Sequence, residues 1–277
     1  MMISRRQSIA GGAALVAALA ARPLMARCSP KLGLELYTVR DIFQQDPMGT
    51  LEKVAAIGYR EVEFAGGGYD KMDHVALRKT MDRVGLVAPS LQVTYEILSA
   101  DFDGSVKMAK TLGADTIVVA WVNETGRTDE GWKIVVSDFN RLAARLKKVG
   151  LGFAYHNHNF EFAKRPNGAS LFDTLTADTD PALVKLELDI GWVVEAGADP
   201  KAIIASLPGR IYAYHVKDRT ATGDVTNIGQ GVINLTDIFT LNRSSGVEHF
   251  YVEIENAAPP YFPDAKTSFE ALKRLCL

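Results

Sequence analysis

Glycines recur where helix-like segments give way to β-rich runs, and this repeat constrains the fold more than any other feature of the chain. A glycine just past a helix adopts the left-handed backbone conformation that ends the helix at little steric cost. The glycines at these junctions are Gly58, Gly85, Gly113, Gly150, Gly209 and Gly246. One such glycine per strand–helix unit predicts a repeated β/α architecture rather than an all-helical or all-β fold.

Eight β-rich runs alternate with helical segments between residue 32 and the end of the chain. The predicted strands are Leu32–Tyr37, Tyr59–Ala65, Leu86–Val93, Thr116–Trp121, Leu151–His158, Val184–Gly191, Ile211–Asp218 and His249–Asn256. The predicted helices are Thr50–Ile57, Asp73–Val84, Ser105–Leu112, Glu130–Val149, Ser170–Ala177, Lys201–Leu207, Leu235–Leu241 and Ser268–Leu277. With no linker or shift in composition, these units favour a single-domain α/β fold over residues 27–277, a (β/α)₈ or TIM barrel. An open doubly wound sheet is the alternative, which the lack of a Gly-rich phosphate loop after the first strand disfavours.

Residues 1–26 have the features of an export signal. The twin arginines Arg5 and Arg6 precede an apolar, Ala-rich run from Ile9 to Ala21. A charged start followed by a short apolar segment is typical of such signals, and the arginine pair indicates the twin-arginine route. The apolar run is shorter than the ~20 residues that span a bilayer, which disfavours an uncleaved anchor. We predict cleavage after Ala26 and an exported, periplasmic protein without a stable membrane anchor.

The charge balance excludes one class of partner. The chain has 31 basic and 33 acidic residues, and removing residues 1–26 leaves 28 basic residues and a net charge near −5. A nucleic-acid binder carries a basic surface instead, so no nucleic-acid partner is predicted. The oligomeric state stays open, with a homodimer as one option.

Charged and apolar side chains occupy opposite faces of the predicted strands. In a parallel barrel the outward face is covered by helices and must be apolar, whereas the inward face near the mouth can hold polar groups. The side chains expected outside are Val62, Phe64, Leu186, Leu188, Ile190, Tyr212, Tyr214, Val216, Val252 and Ile254. Those expected inside are Glu61, Glu63, His156, His158, Glu187, Asp189, His215, Lys217, Glu253 and Glu255.

The inward acids and histidines predict a divalent-metal site at the carboxyl ends of the strands, where such barrels have their active sites. Buried unpaired charge costs several kcal/mol per ion, and the acids outnumber the bases, so a cation is needed to offset them. An internal ion-pair network around Lys217 is the alternative. Oxygen-rich ligation with one or two imidazoles favours Mn²⁺ or Mg²⁺, with Co²⁺ and Zn²⁺ as further options.

Several motifs along the mature chain together form a family pattern: Gly33–Asp41 (GLELYTVRD), Tyr155–Phe162 (YHNHNFEF), Leu188–Trp192 (LDIGW), His215–Asp218 (HVKD), Gly229–Ile233 (GQGVI) and Val252–Glu255 (VEIE). In these motifs the chain resembles the sugar phosphate isomerase/epimerase family, which has a xylose-isomerase-like barrel. The resemblance implies a metal held by Glu, Asp, His and Glu from strands five to eight. Asp189, His215 and Glu253 match three of these ligands.

The fourth ligand departs from the family pattern. Many relatives have a glutamate inside strand five, where this chain has His156. Glu161 is our first choice as the fourth ligand, with His156 or His158 as the alternative. Trp192 stands where epimerase relatives have a polar residue, which indicates either a wall for sugar stacking or a packing role.

The site and the resemblance together predict a metal-dependent sugar isomerase or epimerase with a small-molecule sugar substrate. A cation bridging a carbonyl oxygen and a neighbouring hydroxyl acidifies the carbon between them and stabilises the enediolate. The candidate catalytic residues are His158, Glu161, Glu255 and Lys217, and the candidate substrate-binding residues are Glu63, His156, Trp121 and Trp192. One alternative is a lyase or dehydratase acting on oxidised (3-keto) sugars or glycosides, and another is a non-catalytic sugar-binding barrel. Export favours a sugar without phosphate. An endonuclease is disfavoured by the five histidines and the acidic net charge.

Overall fold

A closed barrel of eight parallel strands forms the centre of the computed structural model, which describes residues 32–166 and 168–276. The predicted signal peptide and its cleavage site lie outside the described residues. The barrel strands are β1 Gly33–Glu35, β2 Glu61–Phe64, β3 Val87–Thr94, β4 Thr116–Trp121, β5 Gly152–His156, β6 Val184–Asp189, β7 Ile211–Val216 and β10 His249–Val252. Two short strands, β8 Asp218–Arg219 and β9 Val225–Thr226, form an antiparallel pair after β7. Each barrel strand pairs with its neighbour along the chain, and β10 closes the ring against β1. The predicted fold class is confirmed.

Helices surround the barrel between successive strands. The α-helices are α1 Arg40–Gln45, α2 Pro47–Ile57, α3 His74–Val84, α4 Tyr95–Ala100, α5 Phe102–Leu112, α6 Asp129–Lys148, α7 Leu171–Asp178, α8 Ile190–Glu195, α9 Pro200–Ser206, α10 Leu235–Phe239, α11 Asn242–Ser245 and α12 Tyr261–Cys276. Short 3₁₀ turns cover Leu36–Val39, Tyr69–Lys71, Glu124–Arg127 and Phe160–Phe162. Among the described residues there is no helix long and apolar enough to cross a membrane.

Several strands end earlier at the barrel mouth than the sequence predicted. The sixth strand was expected to reach Gly191, but it ends at Asp189, whose carboxylate accepts a hydrogen bond from the Trp192 backbone N–H at 2.8 Å. An aspartate in this position satisfies a free N–H group at the start of a helix, so α8 begins directly at Ile190. The last strand ends at Val252, so Glu253 follows it. These early ends place polar side chains on the rim of the barrel.

The prediction that Tyr212 faces outward is wrong. Its ring centroid lies 5.0 Å from that of His249, and the His249 ring stacks on Tyr251. The register between β6 and β7 shifts between Leu186 and Glu187, so β7 has one extra residue at this point. Such a bulge breaks the alternation of faces. Beyond it the predicted alternation holds, and Tyr214 packs outward against Phe239 of α10.

The helix that closes the chain begins at Tyr261, seven residues before the predicted Ser268. Pro263 lies in its first turn, where the missing N–H has no partner in a helix anyway. Proline therefore does not prevent the helix from starting at Tyr261. The helix packs against the barrel, and the Tyr59 hydroxyl donates a hydrogen bond to the Ala265 carbonyl at 2.8 Å.

The largest aromatic part of the core lies between β5 and the 20-residue helix α6. Trp132, Phe139, Phe153 and Tyr155 are almost fully buried and contact one another edge to face or tilted. Because strand residues alternate, Phe153 and Tyr155 point to this outer layer while His156 points inward. The packing of β5 therefore determines which of its side chains reach the barrel interior.

Candidate metal centre and active-site cavity

A cavity of about 640 Å³ opens at the carboxyl ends of the barrel strands. Its deep part is polar and its mouth is largely apolar. The deep lining residues are Glu35, Gln92, His156, His158, Glu253 and Glu255, and those nearer the mouth include Tyr37, Ile97, Trp121 and Trp192. The volume falls in the range of about 300–1,000 Å³ that is common for small-molecule sites.

Four buried side chains converge beneath this cavity. His156, Asp189, His215 and Glu253 each offer a ligand atom, and these four atoms lie within 4.8 Å of one another. The residues come from the ends of β5, β6 and β7 and from the residue after β10. Neighbouring parallel strands end at the same rim, which brings positions far apart in sequence into one group.

The backbone of Asp189 is fixed by the side chain of Asn157. The Asn157 Oδ1 accepts a hydrogen bond from Asp189 N at 3.1 Å, and its Nδ2 donates to Asp189 O at 3.4 Å. The amide thereby continues the pairing between β5 and β6 one step beyond the end of β5. With its Oδ1 bound to Trp192 N, Asp189 directs Oδ2 toward the group of four.

Lys217 is a fully buried cation beside this group. Its Nζ lies 2.8 Å from Asp189 Oδ2 and 2.9 Å from Glu253 Oε1, and it also donates to Glu255. A Cβ at position 191 would lie 2.6 Å from Lys217 Cβ, so the close approach of α8 to this side chain requires Gly191. Burial disfavours the charged amine, but Asp189 and Glu253 outweigh it and raise the pKa of Lys217.

One carboxylate oxygen contacts both histidines of the group from below. Glu187 Oε2 lies 3.2 Å from His156 Nδ1 and 3.1 Å from His215 Nε2. The other nitrogens face the group, with His156 Nε2 3.8 Å from Asp189 Oδ2 and His215 Nδ1 2.6 Å from Glu253 Oε2. A carboxylate that binds the far nitrogen of a ligating histidine sets its tautomer and ring orientation. Glu187 has this position for both rings.

Further buried groups support Glu187 and His215. Glu63 Oε2 lies 2.7 Å from His215 Nε2, and Gln92 Nε2 donates to Glu63 at 2.9 Å and to Glu187 at 3.1 Å. Glu35, Glu63 and His215 form a second group whose ligand atoms lie close enough together to hold an ion. The Glu63 side chain is fully buried and bound within this layer, and it is absent from the cavity lining where it was predicted to bind substrate.

The pKa values of these side chains reflect the excess of acids among them. Burial raises the pKa of Glu187 to about 8, reinforced by Glu63, and burial likewise raises the pKa of Glu255 to about 7. Burial opposes the charged form of His215, yet Glu187 and Glu35 outweigh it and raise the His215 pKa well above its ordinary value. Burial and the neighbouring His215 lower the pKa of His156.

The donor set fits a divalent cation. The buried or nearly buried acids are Glu35, Glu63, Glu187, Asp189, Glu253 and Glu255, whereas Lys217 and, beside Glu255, Arg219 are the basic side chains near them other than histidines. Glu35 Oε2 and Glu187 Oε1 are buried without a hydrogen-bond donor. Two carboxylates and two imidazoles suit Mn²⁺, Zn²⁺ or Co²⁺, and hard oxygen donors suit Mg²⁺. The residues present therefore fit a bound metal.

Glu161, the first choice for the fourth ligand, lies outside the group of four, and His156, its alternative, lies inside it. The Glu161 carboxylate accepts hydrogen bonds from the Tyr155 hydroxyl at 2.6 Å and from His158 N at 2.9 Å. Tyr155 belongs to the outer aromatic layer, so these bonds hold Glu161 on the outer side of β5. Burial raises its pKa to about 7.

The remaining predicted residues lie around the cavity. His158 is mostly buried, its Nδ1 has no partner, and burial followed by Lys217 lowers its pKa to about 3, so its imidazole is neutral near pH 7. Glu255 lies at the rim and binds Lys217. The Trp192 ring centroid is 5.0 Å from Lys217 Nζ, and Trp121, at the end of β4, is 44% exposed.

Sequence reasoning placed Glu187 inside the barrel but gave it no role, and it gave Glu35, Gln92 and Asn157 none. For Glu187 the signal was available, because it is two residues before Asp189 on the same strand face. Gln92 and Asn157 have neutral amide side chains. The sequence alone does not distinguish an amide that is a buried hydrogen-bond partner from one at the surface.

Proteins similar in sequence include inosose dehydratases, and proteins similar in structure include a sugar phosphate isomerase/epimerase. The chain is 27% identical over 210 residues to an inosose dehydratase from Lacticaseibacillus casei, covering 68% of this chain and 66% of that protein, just under two thirds of its length. It is 24% identical over 262 residues to the inosose dehydratase of Geobacillus thermodenitrificans, covering 80% and 83% of the two chains. The crystal structure of a sugar phosphate isomerase/epimerase from Parabacteroides distasonis superimposes with a TM-score of 0.78 at 25% identity, covering 91% of this chain and 97% of that one.

The family itself is shown by a match over most of the barrel. Residues 51–275 fit the model of the family described as xylose isomerase-like TIM barrel. The matched segment runs from α2 through α12 and includes the four converging side chains. The chain therefore belongs to the xylose isomerase-like TIM barrel family.

Proposed function

We propose that this protein is a divalent-metal-dependent sugar isomerase or epimerase that removes a proton from the carbon next to a carbonyl of a non-phosphorylated sugar. The observation that carries the proposal is the convergence of His156, Asp189, His215 and Glu253 within 4.8 Å beneath an open cavity. Mn²⁺ or Mg²⁺ is the favoured ion, as expected from the oxygen donors.

A cation bound by these four residues would acidify a carbon next to a coordinated carbonyl and offset the charge that develops on the oxygen. Glu187 holds the two histidines in the orientation that directs one nitrogen of each toward this position. Lys217 keeps Asp189 and Glu253 in place and holds a positive charge beside them. Each of these groups is already ordered before substrate arrives, so little reorganisation is needed on binding.

Glu255 is the group we propose to carry the proton. It lines the cavity, and its carboxylate is hydrogen-bonded to Lys217, which makes it both accessible and fixed. His158 lines the same cavity with its Nδ1 free to accept a hydrogen bond from a substrate hydroxyl. Return of the proton to the neighbouring carbon isomerises the sugar, and return to the opposite face of the same carbon epimerises it.

Elimination is the second candidate reaction, and the sequence relatives favour it. Two of them are named inosose dehydratases. In that reaction the same proton is removed, the electron pair forms a carbon–carbon double bond, and a β-hydroxyl leaves with a second proton as water. His156 also replaces the glutamate expected in strand five, so the group of four has one glutamate rather than two.

Solvent exchange tests both candidates with one measurement. The mature protein loaded with Mn²⁺ is incubated in D₂O with free, 3-oxidised and glycosidic sugars, and the products are followed by NMR. Deuterium at a carbon next to a carbonyl supports proton abstraction, and a new alkene signal identifies elimination. Absence of exchange and of product with every sugar would leave a non-catalytic sugar-binding barrel.

Glu255→Gln is expected to reduce the exchange rate by about 10²–10⁴-fold, the usual contribution of a general acid–base group. The amide keeps the shape and a hydrogen-bond acceptor but cannot take up the proton. Glu248→Gln is the matched control, since Glu248 is exposed at the opposite end of the same strand. Mn²⁺ content should be unchanged in both variants. An exchange rate within twofold of wild type would remove Glu255 from the mechanism.

Glu187→Gln is expected to weaken Mn²⁺ binding by about 10–100-fold, the usual effect of losing the partner of a ligating histidine. The amide offers one acceptor oxygen and an NH₂ group that cannot accept from the imidazole N–H groups. The control is Glu61→Gln, because Glu61 is a buried acid bound to a histidine outside the group, with Glu61 Oε2 2.8 Å from His249 Nδ1. Titration of the metal-free proteins with Mn²⁺ gives the comparison, and equal affinities would contradict the role given to Glu187.

A further inference from the structure

The cavity mouth carries three large apolar side chains that are well exposed. Tyr37, Ile97 and Trp121 are 37%, 43% and 44% exposed, and all three line the cavity. We call this set the apolar wall. Apolar side chains that remain exposed at a cavity mouth often form part of a ligand-binding surface.

The apolar wall and the candidate metal centre lie on opposite halves of the barrel rim. Tyr37 follows β1, Ile97 follows β3 and Trp121 ends β4. The converging acids and histidines follow β5, β6, β7 and β10. A ligand that fills the cavity therefore meets the candidate metal centre on one side and exposed apolar side chains on the other.

The Trp121 ring is held rigidly by the protein. The Arg127 guanidinium lies 3.9 Å from its centroid and the same distance from the Phe160 ring, and Arg127 Nε donates to the Val122 carbonyl at 2.6 Å. The His158 ring meets Trp121 edge to face at 5.2 Å. An aromatic ring fixed in this way stacks on a ligand at little cost in conformational entropy.

The charge of the lining disfavours an anionic ligand. The acids are Glu35, Asp70, Glu253 and Glu255, whereas Arg40 is the basic residue among the lining side chains other than histidines. Arg40 donates to the Tyr37 carbonyl at 2.9 Å and to the Glu255 carbonyl at 3.1 Å, and its guanidinium lies 4.1 Å from the Tyr37 ring centroid. A phosphate in this cavity would face several carboxylates and one already engaged guanidinium.

We propose that the apolar wall is a subsite for an uncharged ring joined to the reacting sugar, so that the substrate is a neutral glycoside whose reacting ring carries the carbonyl. The volume of about 640 Å³ accommodates a second ring. A sugar ring and an aromatic aglycone share the chemistry that the wall recognises, a flat face of C–H groups or π electrons stacked on the indole. This inference rests on the proposed function, since the candidate metal centre places the reacting unit at the other end.

Binding of matched glycosides to the Mn²⁺-loaded protein tests the subsite. The probes are the methyl and phenyl glycosides and the disaccharides of common hexoses, with hexose 6-phosphates as the anionic arm, and dissociation constants are measured by calorimetry. Stacking on Trp121 is expected to make the phenyl glycoside bind about threefold to tenfold more tightly than its methyl counterpart. An equal gain in affinity for a disaccharide over the methyl glycoside would identify a sugar as the second ring. A gain in affinity limited to the phenyl glycoside would identify an aromatic aglycone.

Substitutions in the apolar wall test whether it causes the tighter binding of the phenyl glycoside. Trp121→Ala and Ile97→Ala should remove or reduce the phenyl preference, and Trp121→Phe should retain most of it. Ile134→Ala is the matched control for Ile97→Ala, because Ile134 is 64% exposed on α6 and does not line the cavity. The proposal is overturned if no phenyl glycoside or disaccharide binds more tightly than its methyl counterpart, if Trp121→Ala keeps the preference, or if the phosphates bind best.

Failure of the subsite and failure of the proposed function give different results. Deuterium exchange in free sugars without any phenyl preference would leave the proposed reaction in place and remove the subsite. A phenyl preference that depends on Trp121 without exchange in any sugar would establish the subsite and remove the proposed reaction.

Discussion

Asp189→Asn is expected to abolish tight Mn²⁺ binding and, with it, turnover. The substitution removes one of two carboxylates in the group of four and leaves His156, His215 and Glu253. Loss of a group that merely supports a ligand weakens metal binding by about 10–100-fold, so loss of the ligand's charge should exceed that range. Metal content after dialysis and the deuterium exchange rate measure the two effects.

The variant is chosen because it preserves the local fold. Asp189 Oδ1 accepts the hydrogen bond from Trp192 N that begins α8, and asparagine is as good a residue at this position. The matched control is Asp199→Asn, since Asp199 begins α9 in the same way through Lys201 N at 2.9 Å. Both variants should unfold at temperatures close to that of wild type. Retention of stoichiometric Mn²⁺ by Asp189→Asn would refute the proposed centre.

Lys217→Met is expected to destabilise the metal-free protein by about 3–5 kcal/mol, because it leaves buried carboxylates without their partner. For a domain of this size the midpoint of thermal unfolding should fall by roughly 10 °C. Methionine matches the length of the lysine stem, so the effect reports the lost charge more than a lost volume. The affected acids are Asp189, Glu253 and Glu255.

Mn²⁺ should restore more stability to Lys217→Met than it adds to wild type, since the variant has a larger uncompensated negative charge. Unfolding midpoints in EDTA and in excess Mn²⁺ give the comparison. Lys185→Met is the control, because the Lys185 amine binds the Pro181 and Gly209 carbonyls near the surface rather than buried acids. Equal midpoints for Lys217→Met and wild type in EDTA would show that the buried lysine is not needed to offset these acids.

The barrel could be predicted from the sequence because two local signals agree. Glycines mark the helix ends, and the alternation of charged and apolar residues marks strands with one face inside. Alternation has a fixed period of two, so placing Asp189 inside also places Glu187 inside. The same rule failed at Tyr212, where a register shift between β6 and β7 adds a residue that no sequence pattern announced.

The sequence left the fourth member of the group open between Glu161 and a histidine of β5, because the choice depends on where β5 ends. The alternation of inward and outward side chains applies only within a strand, and β5 ends at His156. Beyond it the chain turns, and Glu161 follows the hydrogen bonds offered by Tyr155 and His158 rather than the strand pattern. The preference for a carboxylate ligand therefore favoured Glu161, whereas the group of four converging side chains includes His156.

The buried Lys217 ammonium bears on whether the protein folds before or after it binds a metal ion. In small zinc domains the polypeptide folds only when the metal arrives, since nothing else holds the ligands together. Here an internal cation already binds Asp189 and Glu253, and packed helices surround the ring of strands. We therefore expect folding to precede metal loading at the proposed centre, so that activity would follow the supply of the ion rather than the yield of folding.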